Sequence, residues 1–453
     1  MVSKLSRYNV YVDVPSGPLV VFNSLTGALL SLGLGRARLE ALVDRAGILD
    51  TAGPTAGPIT GPTAEERTLL DTLRRHGALI ESGHDELAYF LRARRERLDD
   101  PATLRLTVLL TLFCNLACTY CYESQAGPAM TDETESRLTR FVARSVEGGL
   151  KILDINWFGG EPLLEWDRLV RLTRGFRETC AASGCLYLAG IATNGYLLDR
   201  AKVGALRELG VRSVVVTLDG PPRVHDGRRV LRGGGPTFTR ILAGVEALAE
   251  SGQEVGLQVN CDSSTTGEDL GELLAALGSV RPAVTLHFRW VFPSPARWRA
   301  CAREQRDNLT SAPPHDRVLA LSRAAVAAGF KVRNPLIHPR VAFCNTEYRN
   351  HWVIHPAGEL HKCNVEFELG HPCGSLGEDG RPEVDAASLE RWLAKDPAAD
   401  DRCRECVWLP VCTGGCAFAR EGRDDPPCPH GGADRFSDYV LLEYLQRKGG
   451  SRS

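Results

Sequence analysis

The sequence lacks any apolar run long enough to cross a bilayer, and its first residues contain no apolar segment typical of a signal peptide. It also lacks an excess of charge of one sign, since 54 Lys and Arg oppose 56 Asp and Glu, for a formal net charge of -2. A nearly neutral chain has no broad electrostatic reason to bind nucleic acid or an anionic membrane surface. We therefore expect a cytoplasmic protein without a nucleic-acid or membrane partner.

Cysteine, in contrast, is abundant, with 15 residues in a chain of 453. In a cytoplasmic protein, this abundance favours metal binding or redox chemistry over a framework of disulfides. Three cysteines lie within residues 114–121, and eight lie within residues 344–428. The other four are scattered: Cys180, Cys185, Cys261 and Cys301. We predict that these four are small buried side chains.

The length exceeds that of one ordinary hydrophobic core, so several domains are expected. Changes in pattern along the chain predict five segments. They are a small α+β domain over 1–100, alternating strands and helices over 104–300, a bridging segment over 301–340, a cysteine-rich domain over 341–432, and a helix and tail over 433–453.

The first hundred residues contain two stretches with strand-like alternation, 8–14 and 18–32. Helical patterns follow over 37–47 and 64–80, the second with Thr63 as a plausible cap, and a linking helix is predicted over 87–100. Residues 52–63 form a spacer rich in Gly, Pro and Thr that is not expected to hold regular structure.

Six apolar strands separated by amphipathic helices are predicted in the next segment. The strands cover residues 104–112, 152–158, 186–193, 213–219, 255–260 and 284–292. This alternation indicates right-handed βαβ crossovers and a parallel sheet, here a partial (β/α)6 barrel of the TIM type. Reactive groups in such a sheet belong at the carboxyl ends of the strands.

A cysteine triad follows the first of these strands. Cys114, Cys118 and Cys121 have a C-x3-C-x2-C spacing, which can hold one cluster on three of its four irons. The fourth iron is then open to an external ligand, as a catalytic metal site requires. A zinc site completed by a distant histidine is the alternative for the triad taken alone.

Glycines and polar residues occur at the ends of the next four strands. They are Gly159, Gly160 and Glu161, then Thr193 and Asn194, then Thr217 and Asp219, and finally Gln258 and Asn260. Arg229 follows the fourth strand and could pair with a carboxylate, although a solvated surface arginine is the ordinary alternative. Each motif alone also fits a simple turn. Together, in order at consecutive strand ends, they indicate one ligand site.

The triad spacing, with the aromatic Tyr120 before the last cysteine, and the ordered strand-end motifs resemble the radical S-adenosylmethionine (SAM) family. The resemblance implies that a [4Fe–4S] cluster on the three catalytic cysteines binds SAM through its methionyl amine and carboxylate. Reduction by an external donor of the flavodoxin or ferredoxin type would then yield a 5′-deoxyadenosyl radical. It also implies that Glu161 contacts the methionyl amine and that Tyr120 and the strand-end residues surround SAM.

The C-terminal cysteines show a second ordered pattern. Cys344 is followed by Gly358 and Cys363, and then by Cys403-x2-Cys406-x5-Cys412-x3-Cys416 and Cys428. This order resembles the SPASM domain of radical SAM peptide maturases, and tandem zinc ribbons fit the spacing poorly.

The SPASM resemblance implies two auxiliary [4Fe–4S] clusters. The first would be held by Cys344, Cys363 and Cys416, and the second by Cys403, Cys406, Cys412 and Cys428. The first set is one ligand short, and either Cys373 completes it or that iron is open to a substrate thiolate. Three nearby histidines are interpreted as hydrogen-bonded surface residues: His355, His361 and His371.

Residues 1–100 resemble the recognition element of peptide-modifying enzymes, which captures a leader peptide by adding a strand to its sheet edge. A structural cap on the barrel is an equal alternative. The whole pattern predicts an enzyme that abstracts hydrogen from a ribosomally made precursor peptide and completes an oxidative crosslink, as a thioether, ether or carbon–carbon bond, or a related modification. A sulfatase-type maturase that makes formylglycine is less favoured, because Asn364 stands where those enzymes carry an aspartate. A non-catalytic iron–sulfur or zinc protein is the alternative from another class.

Overall fold

The structure is a computed structural model that describes residues 3–51, 61–123, 127–291, 315–334, 337–365, 367, 371–394, 396–420, 428 and 436–450. Most of the predicted spacer 52–63, much of the bridging segment 301–340 and Cys301 lie outside these residues. Within the described part of the chain, no helix has the length and apolar character needed to cross a membrane.

The strands fall into three sheets. Their bounds are β1 (Ser3–Leu5), β2 (Asn9–Asp13), β3 (Leu19–Asn23), β4 (Leu29–Leu32), β5 (Leu79–Glu81), β6 (Thr103–Leu109), β7 (Ile152–Phe158), β8 (Leu186–Thr193), β9 (Val211–Thr217), β10 (Val255–Cys261), β11 (Val284–Trp290), β12 (Lys331–Val332), β13 (His351–Ile354), β14 (Glu359–His361), β15 (Gly374–Leu376) and β16 (Pro382–Val384).

The α-helices lie between and after these strands. Their bounds are α1 (Arg36–Thr51), α2 (Ala64–Arg75), α3 (Glu86–Leu98), α4 (Asp132–Glu147), α5 (Trp166–Ser183), α6 (Arg200–Glu208), α7 (Pro222–Arg228), α8 (Phe238–Glu250), α9 (Gly267–Ala276), α10 (His315–Ala327), α11 (Ala386–Leu393), α12 (Asp401–Arg404), α13 (Leu409–Cys412), α14 (Ala417–Arg420) and α15 (Phe436–Gly450).

The six predicted barrel strands are confirmed as β6 to β11, which are consecutive, parallel neighbours in an 11-stranded sheet. Alternation along β7 explains the architecture. Leu153, Ile155 and Trp157 are buried in the core beneath the outer helices, where Trp157 stacks on Phe176 of α5. The intervening side chains therefore face the inside of the barrel. The α/β partial barrel is thus built as predicted, and its inner face carries polar residues such as Asp154 and Asn156.

The barrel sheet continues directly into the cysteine-rich region, which the sequence did not predict. β13 pairs in parallel with β6, with His351 opposite Arg105 and Ile354 opposite Val108. β14, β15 and β16 then extend the same sheet by antiparallel pairing. Cys363, which follows β14, is therefore positioned by the barrel itself.

The N-terminal domain differs from its prediction in two turns. Residues 18–32 form two strands, because the Asn23 carboxamide accepts hydrogen bonds from the amides of Leu25 and Thr26 and stabilises a turn between β3 and β4. The helix predicted over 64–80 ends at Arg75, since Gly77 takes a positive φ of 75° and the chain turns into β5. The predicted cap is confirmed, because Thr63 forms a capping box with Glu66.

The sheet of β2, β3 and β4 is covered on both faces. Leu19 and Val21 pack on the side of α1 and α2, whereas Val20 and Phe22 pack against the C-terminal region. There, the ring of Phe22 lies 5.8 Å from that of Trp408, which stacks on Phe436 of α15. Residues two apart along a strand face the same side of the sheet. One face of β3 therefore packs against the N-terminal helices, and the other packs against the C-terminal region.

Candidate active site

The cysteine triad lies on the loop after β6, and backbone hydrogen bonds hold this loop against the segment after α7. The amide of Ala117 donates to the carbonyl of Val230 over 2.7 Å, and the amide of Thr119 donates to that of Arg228 over 3.0 Å. The Arg232 guanidinium donates to the Cys114 carbonyl over 2.8 Å. Two chain segments therefore hold the triad in one place at the barrel mouth.

The three thiols differ in exposure. Cys114 is buried, and its Sγ accepts from the Leu116 amide over 3.4 Å and from the Asn194 carboxamide over 3.6 Å. Burial raises the pKa of Cys114 to about 12. Cys118 and Cys121 instead face an open cavity. The loop thus has one thiol fixed by the protein and two at the cavity surface.

We name this space the triad cavity. It measures about 320 Å³ and lies where the ends of β7 to β11 meet the triad loop. Most of the residues predicted to bind the cofactor line it: Cys118, Tyr120, Cys121, Gly159, Gly160, Thr193, Asn194, Thr217, Arg229, Gln258 and Asn260. The strand-end motifs therefore converge on one cavity.

The two glycines after β7 allow the backbone to pack closely. A Cβ atom on Gly159 would lie 2.4 Å from the Thr111 carbonyl oxygen, and one on Gly160 would lie 2.3 Å from that of Phe113. Gly159 also takes a φ of 118°, which residues with a side chain rarely adopt. A side chain at either position would displace the triad loop.

Glu161 lies behind the residues that line the triad cavity and is not itself part of the lining. It is wholly buried, and its carboxylate accepts from the Thr193 hydroxyl over 2.7 Å and from the Asn194 amide over 2.7 Å. Burial raises its pKa, and these hydrogen bonds oppose the rise. The structure therefore gives Glu161 the task of positioning Thr193 and Asn194.

Tyr120 is the centre of a second network. Its hydroxyl donates to Asp219 and accepts from Arg229 over 2.8 Å and from the Asn260 carboxamide over 2.9 Å. Asp219 is 1% exposed, lies behind Tyr120 and also accepts from the Asn260 amide. Neither of the two predicted carboxylates lines the cavity, whereas the predicted Arg229 does.

A second cavity of about 610 Å³, which we name the auxiliary cavity, lies between the barrel interior and the cysteine-rich region. Cys344, Cys363 and Cys416, the three cysteines assigned to the first auxiliary cluster, all line it. Burial raises the pKa of Cys344 to about 11, and Cys416 acts in the same direction. The structure thus brings together three cysteines that are far apart in sequence.

The second predicted set of cysteines also converges. Burial raises the pKa of Cys412 to about 12, and interactions with Cys428, Cys403 and Cys406 add to the rise. Cys406 interacts with Cys428 in the same way. All four thiols of the second set therefore lie near one another. Cys406 and Cys412 also pack against the hydrophobic cluster in which Trp408 meets the N-terminal domain.

The remaining cysteines and histidines have varied environments. Cys373 is wholly buried at the start of β15 and lies outside the lining of the auxiliary cavity. The scattered cysteines in the described residues are buried as predicted: Cys180, Cys185 and Cys261. The prediction of a surface histidine is wrong for His361, which is wholly buried next to Glu359 and Phe367.

The two cavities share a wall. Arg289, Trp290, Asn364 and Val365 line both of them. Sequence reasoning missed Arg289 and Trp290, although polar residues at alternate positions of an apolar strand, His287 and Arg289, were a signal for an inward face. A group held at this wall would touch both cavities.

Within the described residues, no three His, Cys, Asp or Glu side chains converge closely enough to bind one metal ion.

Comparison with known proteins agrees with this geometry. Residues 108–276 match the model of the radical SAM superfamily. A serine-type anaerobic sulfatase-maturating enzyme of Klebsiella aerogenes is 24% identical over 345 residues, which cover 72% of this chain and 82% of that protein.

Two solved structures share the fold. The structure of anSMEcpe with bound AdoMet and the Kp18Cys peptide has a TM-score of 0.57 at 17% identity, covering 77% of this chain and 99% of that one. Streptococcus suis SuiB has a TM-score of 0.50 at 14% identity, covering 93% of this chain and 97% of that one.

The matched segment contains the triad, both glycines and most of the strand ends that form the triad cavity. The hypothesis of a non-catalytic protein is thereby set aside. Residues 108–276 form a radical SAM domain, and the chain is an enzyme of the radical SAM superfamily.

Proposed function

We propose that this enzyme modifies a ribosomally made peptide at the wall between its two cavities. The single observation that carries the proposal is that four residues line both the triad cavity and the auxiliary cavity. A peptide side chain held there would lie beside the catalytic centre and beside the cysteines of the first auxiliary site. Oxidative crosslinking needs both hydrogen abstraction and a nearby electron acceptor.

The residues of the triad cavity suit a [4Fe–4S] cluster and SAM, which membership of the superfamily implies. Cys114 is fixed by two hydrogen bonds to its sulfur, while Cys118 and Cys121 face the cavity. The buried Nε of Arg229 has no hydrogen-bond partner among the described residues, and its guanidinium faces the same space. An arginine there suits the methionyl carboxylate of SAM.

The bound groups would supply reductive cleavage of SAM to a 5′-deoxyadenosyl radical and, at the auxiliary clusters, an acceptor for the electron that the substrate loses. The chain's own residues position and enclose these reactants. Thr193 and Asn194 are oriented by Glu161, and Tyr120 is oriented by Asp219, Arg229 and Asn260.

The N-terminal domain is proposed to bind the leader of the peptide. β4 pairs only with β3 among the described strands, so its outer edge offers unpaired backbone groups for an added strand. The opposite edge strand, β2, is contacted by α15. Hydrogen exchange with and without the precursor peptide is the test, and protection is expected at Leu29–Leu32. Unchanged exchange there would leave this domain as a structural cap on the barrel.

The proposal is tested with anaerobically reconstituted protein, a low-potential reductant of the flavodoxin type, SAM and each short peptide found to be encoded beside the gene. We expect a brown protein with about twelve irons if all three clusters are [4Fe–4S]. We also expect 5′-deoxyadenosine and a peptide product that has lost hydrogen, both detected by mass spectrometry. Zinc in place of iron, or nucleoside without any change in the peptide, would contradict the proposal.

A second candidate function is the maturation of a sulfatase to formylglycine. It is favoured by the 24% identity to the Klebsiella aerogenes enzyme, whose name assigns that role. Asn364 argues against it, because this residue lines both cavities and its carboxamide cannot act as a base where the sulfatase-type enzymes carry an aspartate. A hydrazide probe distinguishes the two, since it would trap an aldehyde on a sulfatase peptide only if the second candidate holds.

A further inference from the structure

Three basic side chains lie together on the last strands of the barrel. His287 and Arg289 are two apart on β11 and so face the same side of the sheet. Arg333 follows β12, and its amide donates to the Leu286 carbonyl over 2.7 Å, which sets it beside His287. All three line the auxiliary cavity, and Arg289 also lines the triad cavity.

The two arginines are exposed, and neither guanidinium forms a hydrogen bond or ion pair with any residue in the part of the chain that the structure describes. No described Asp or Glu lines the auxiliary cavity, and Glu123 lines the triad cavity, which Arg289 also lines. Burial lowers the pKa of His287 to about 4, and the charges of Arg333 and Arg289 add to the effect. The imidazole of His287 is therefore neutral beside the two guanidinium groups. The positive charge of Arg289 and Arg333 would favour an anionic ligand there.

One cysteine of the auxiliary cavity, Cys344, interacts with two other basic side chains. The Lys362 ammonium is wholly buried, donates to the carbonyls of Tyr348 and His351 over 2.5 Å and 2.8 Å, and interacts with Cys344. Arg340 also interacts with Cys344. Two basic side chains other than Arg289 and Arg333 therefore act on the thiol of Cys344. Arg289 and Arg333 are therefore available to bind another ligand.

Building on the proposed function, we infer that the substrate peptide carries a carboxylate, from Asp or Glu, close to the modified residue, and that Arg289 and Arg333 bind it. The planar guanidinium pairs with a carboxylate through two parallel hydrogen bonds, so it fixes orientation as well as charge. Because Arg289 lies on the shared wall, an acid bound there would hold the neighbouring residue at the mouth of the triad cavity.

The first test is a double-mutant cycle with the reconstituted enzyme. Arg289→Gln is combined with precursor peptides in which each Asp or Glu of the modified segment is changed in turn to Asn or Gln. For one acidic position, we expect either change alone to raise the KM for the peptide at least about tenfold, and both changes together to add little. Additive losses at every position, or a KM unaffected by every peptide change, would overturn the inference.

The control is Arg212→Gln, because Arg212 is an exposed arginine on β9 that lines neither cavity. This variant is expected to process all peptides as the unaltered enzyme does. If Arg212→Gln lost the dependence on peptide acids as Arg289→Gln does, general electrostatic attraction would explain the result and the inference would be wrong.

The second test does not require catalysis. A fluorescein-labelled hexapeptide of alternating Gly and Glu is compared with its Gly–Gln counterpart by fluorescence anisotropy. We expect tighter binding of the acidic probe, lost in the Arg289→Gln, Arg333→Gln double variant and kept in Arg212→Gln. Equal binding of the two probes would overturn the inference while leaving peptide modification intact. A charge preference without any modified peptide would instead contradict the proposed function alone.

Discussion

The two cavities differ in how the chain uses charge. Around the triad cavity, the carboxylates of Glu161 and Asp219 are buried behind the wall and engaged in hydrogen bonds, so these two groups are satisfied within the protein, while the Nε of Arg229 is left for a ligand. Around the auxiliary cavity, Arg289 and Arg333 have no such partners among the described residues. A site for one fixed cofactor can have its polar groups satisfied in advance, whereas a site for a charged substrate leaves some to be satisfied on binding.

The two cavities also differ in how they are assembled. The triad cavity is built from one short loop and the ends of neighbouring parallel strands, each next to the other in the sheet. The auxiliary cavity combines β6, β7 and β11 with cysteines from residues 344 to 416. Four substitutions test whether the two cavities have separate tasks, and the first has the greatest expected loss.

Cys118→Ala is expected to abolish SAM cleavage, because the catalytic cluster loses one of its three thiolates. The measurement is 5′-deoxyadenosine formation by reduced, reconstituted protein. Cys185→Ala is the matched control, since Cys185 is buried between α5 and β8, away from both cavities. Retained cleavage in Cys118→Ala would mean that the triad does not hold the catalytic cluster.

Cys406→Ala is expected to keep uncoupled SAM cleavage but to lose the modified peptide, because only the second auxiliary site is changed. The iron content should fall by about four atoms per chain if that cluster is [4Fe–4S]. Nucleoside and peptide products are measured in the same reaction, again beside Cys185→Ala. If Cys406→Ala and Cys118→Ala behaved alike, the two cavities would not have separate tasks.

Arg94→Met is expected to lower the free energy of unfolding by about 3–5 kcal/mol, because it leaves the carboxylate of Glu347 buried without its ion-pair partner. Glu347 also accepts from the Phe343 amide over 2.7 Å, next to Cys344, so iron at the first auxiliary site should fall as well. Denaturant unfolding and iron analysis are the measurements. Adding Glu347→Gln removes the stranded charge and should recover much of the loss, and a single-variant cost under about 1 kcal/mol would exclude a structural role for the pair.

Tyr120→Phe is expected to raise the KM for SAM by about tenfold, because Asp219, Arg229 and Asn260 each lose a hydrogen-bond partner at the wall of the triad cavity. Steady-state kinetics of SAM cleavage is the measurement. Tyr196→Phe, outside both cavities, is the control and should leave this constant unchanged. An unaltered KM in Tyr120→Phe would show that the network does not shape the SAM site.

Most of the barrel was predictable because its signals are local. Each strand from β6 to β11 is an apolar segment bounded by turns, and parallel connectivity then brings the strand ends to one edge. Gly159, Thr193 and Asn260 could therefore be assigned to one cavity without coordinates. The sequence could not predict which way the side chains of Glu161 and Asp219 point, because a residue at a strand end can face the ligand or the wall behind it.

Other features depended on contacts between distant segments. Two contacts join residues more than two hundred positions apart: the pairing of β13 with β6, and the packing of Phe22 against Trp408. The sequence of one segment does not predict which distant segment it will contact. The turn that divides residues 18–32 into two strands was predictable from the local sequence, because Asn23 and Gly27 both favour a turn.

Spacing and alternation along the chain were enough to predict the cysteine groups, the order of the strands and the ligand types at their ends. Contacts across the fold were needed to show that the two cavities share Arg289 and Asn364, that Cys373 is not among the residues lining the auxiliary cavity, and that two arginines have no carboxylate partner among the described residues. The physical reason is that pairing of charges and convergence of cavities are set by distances across the fold, which no segment encodes on its own.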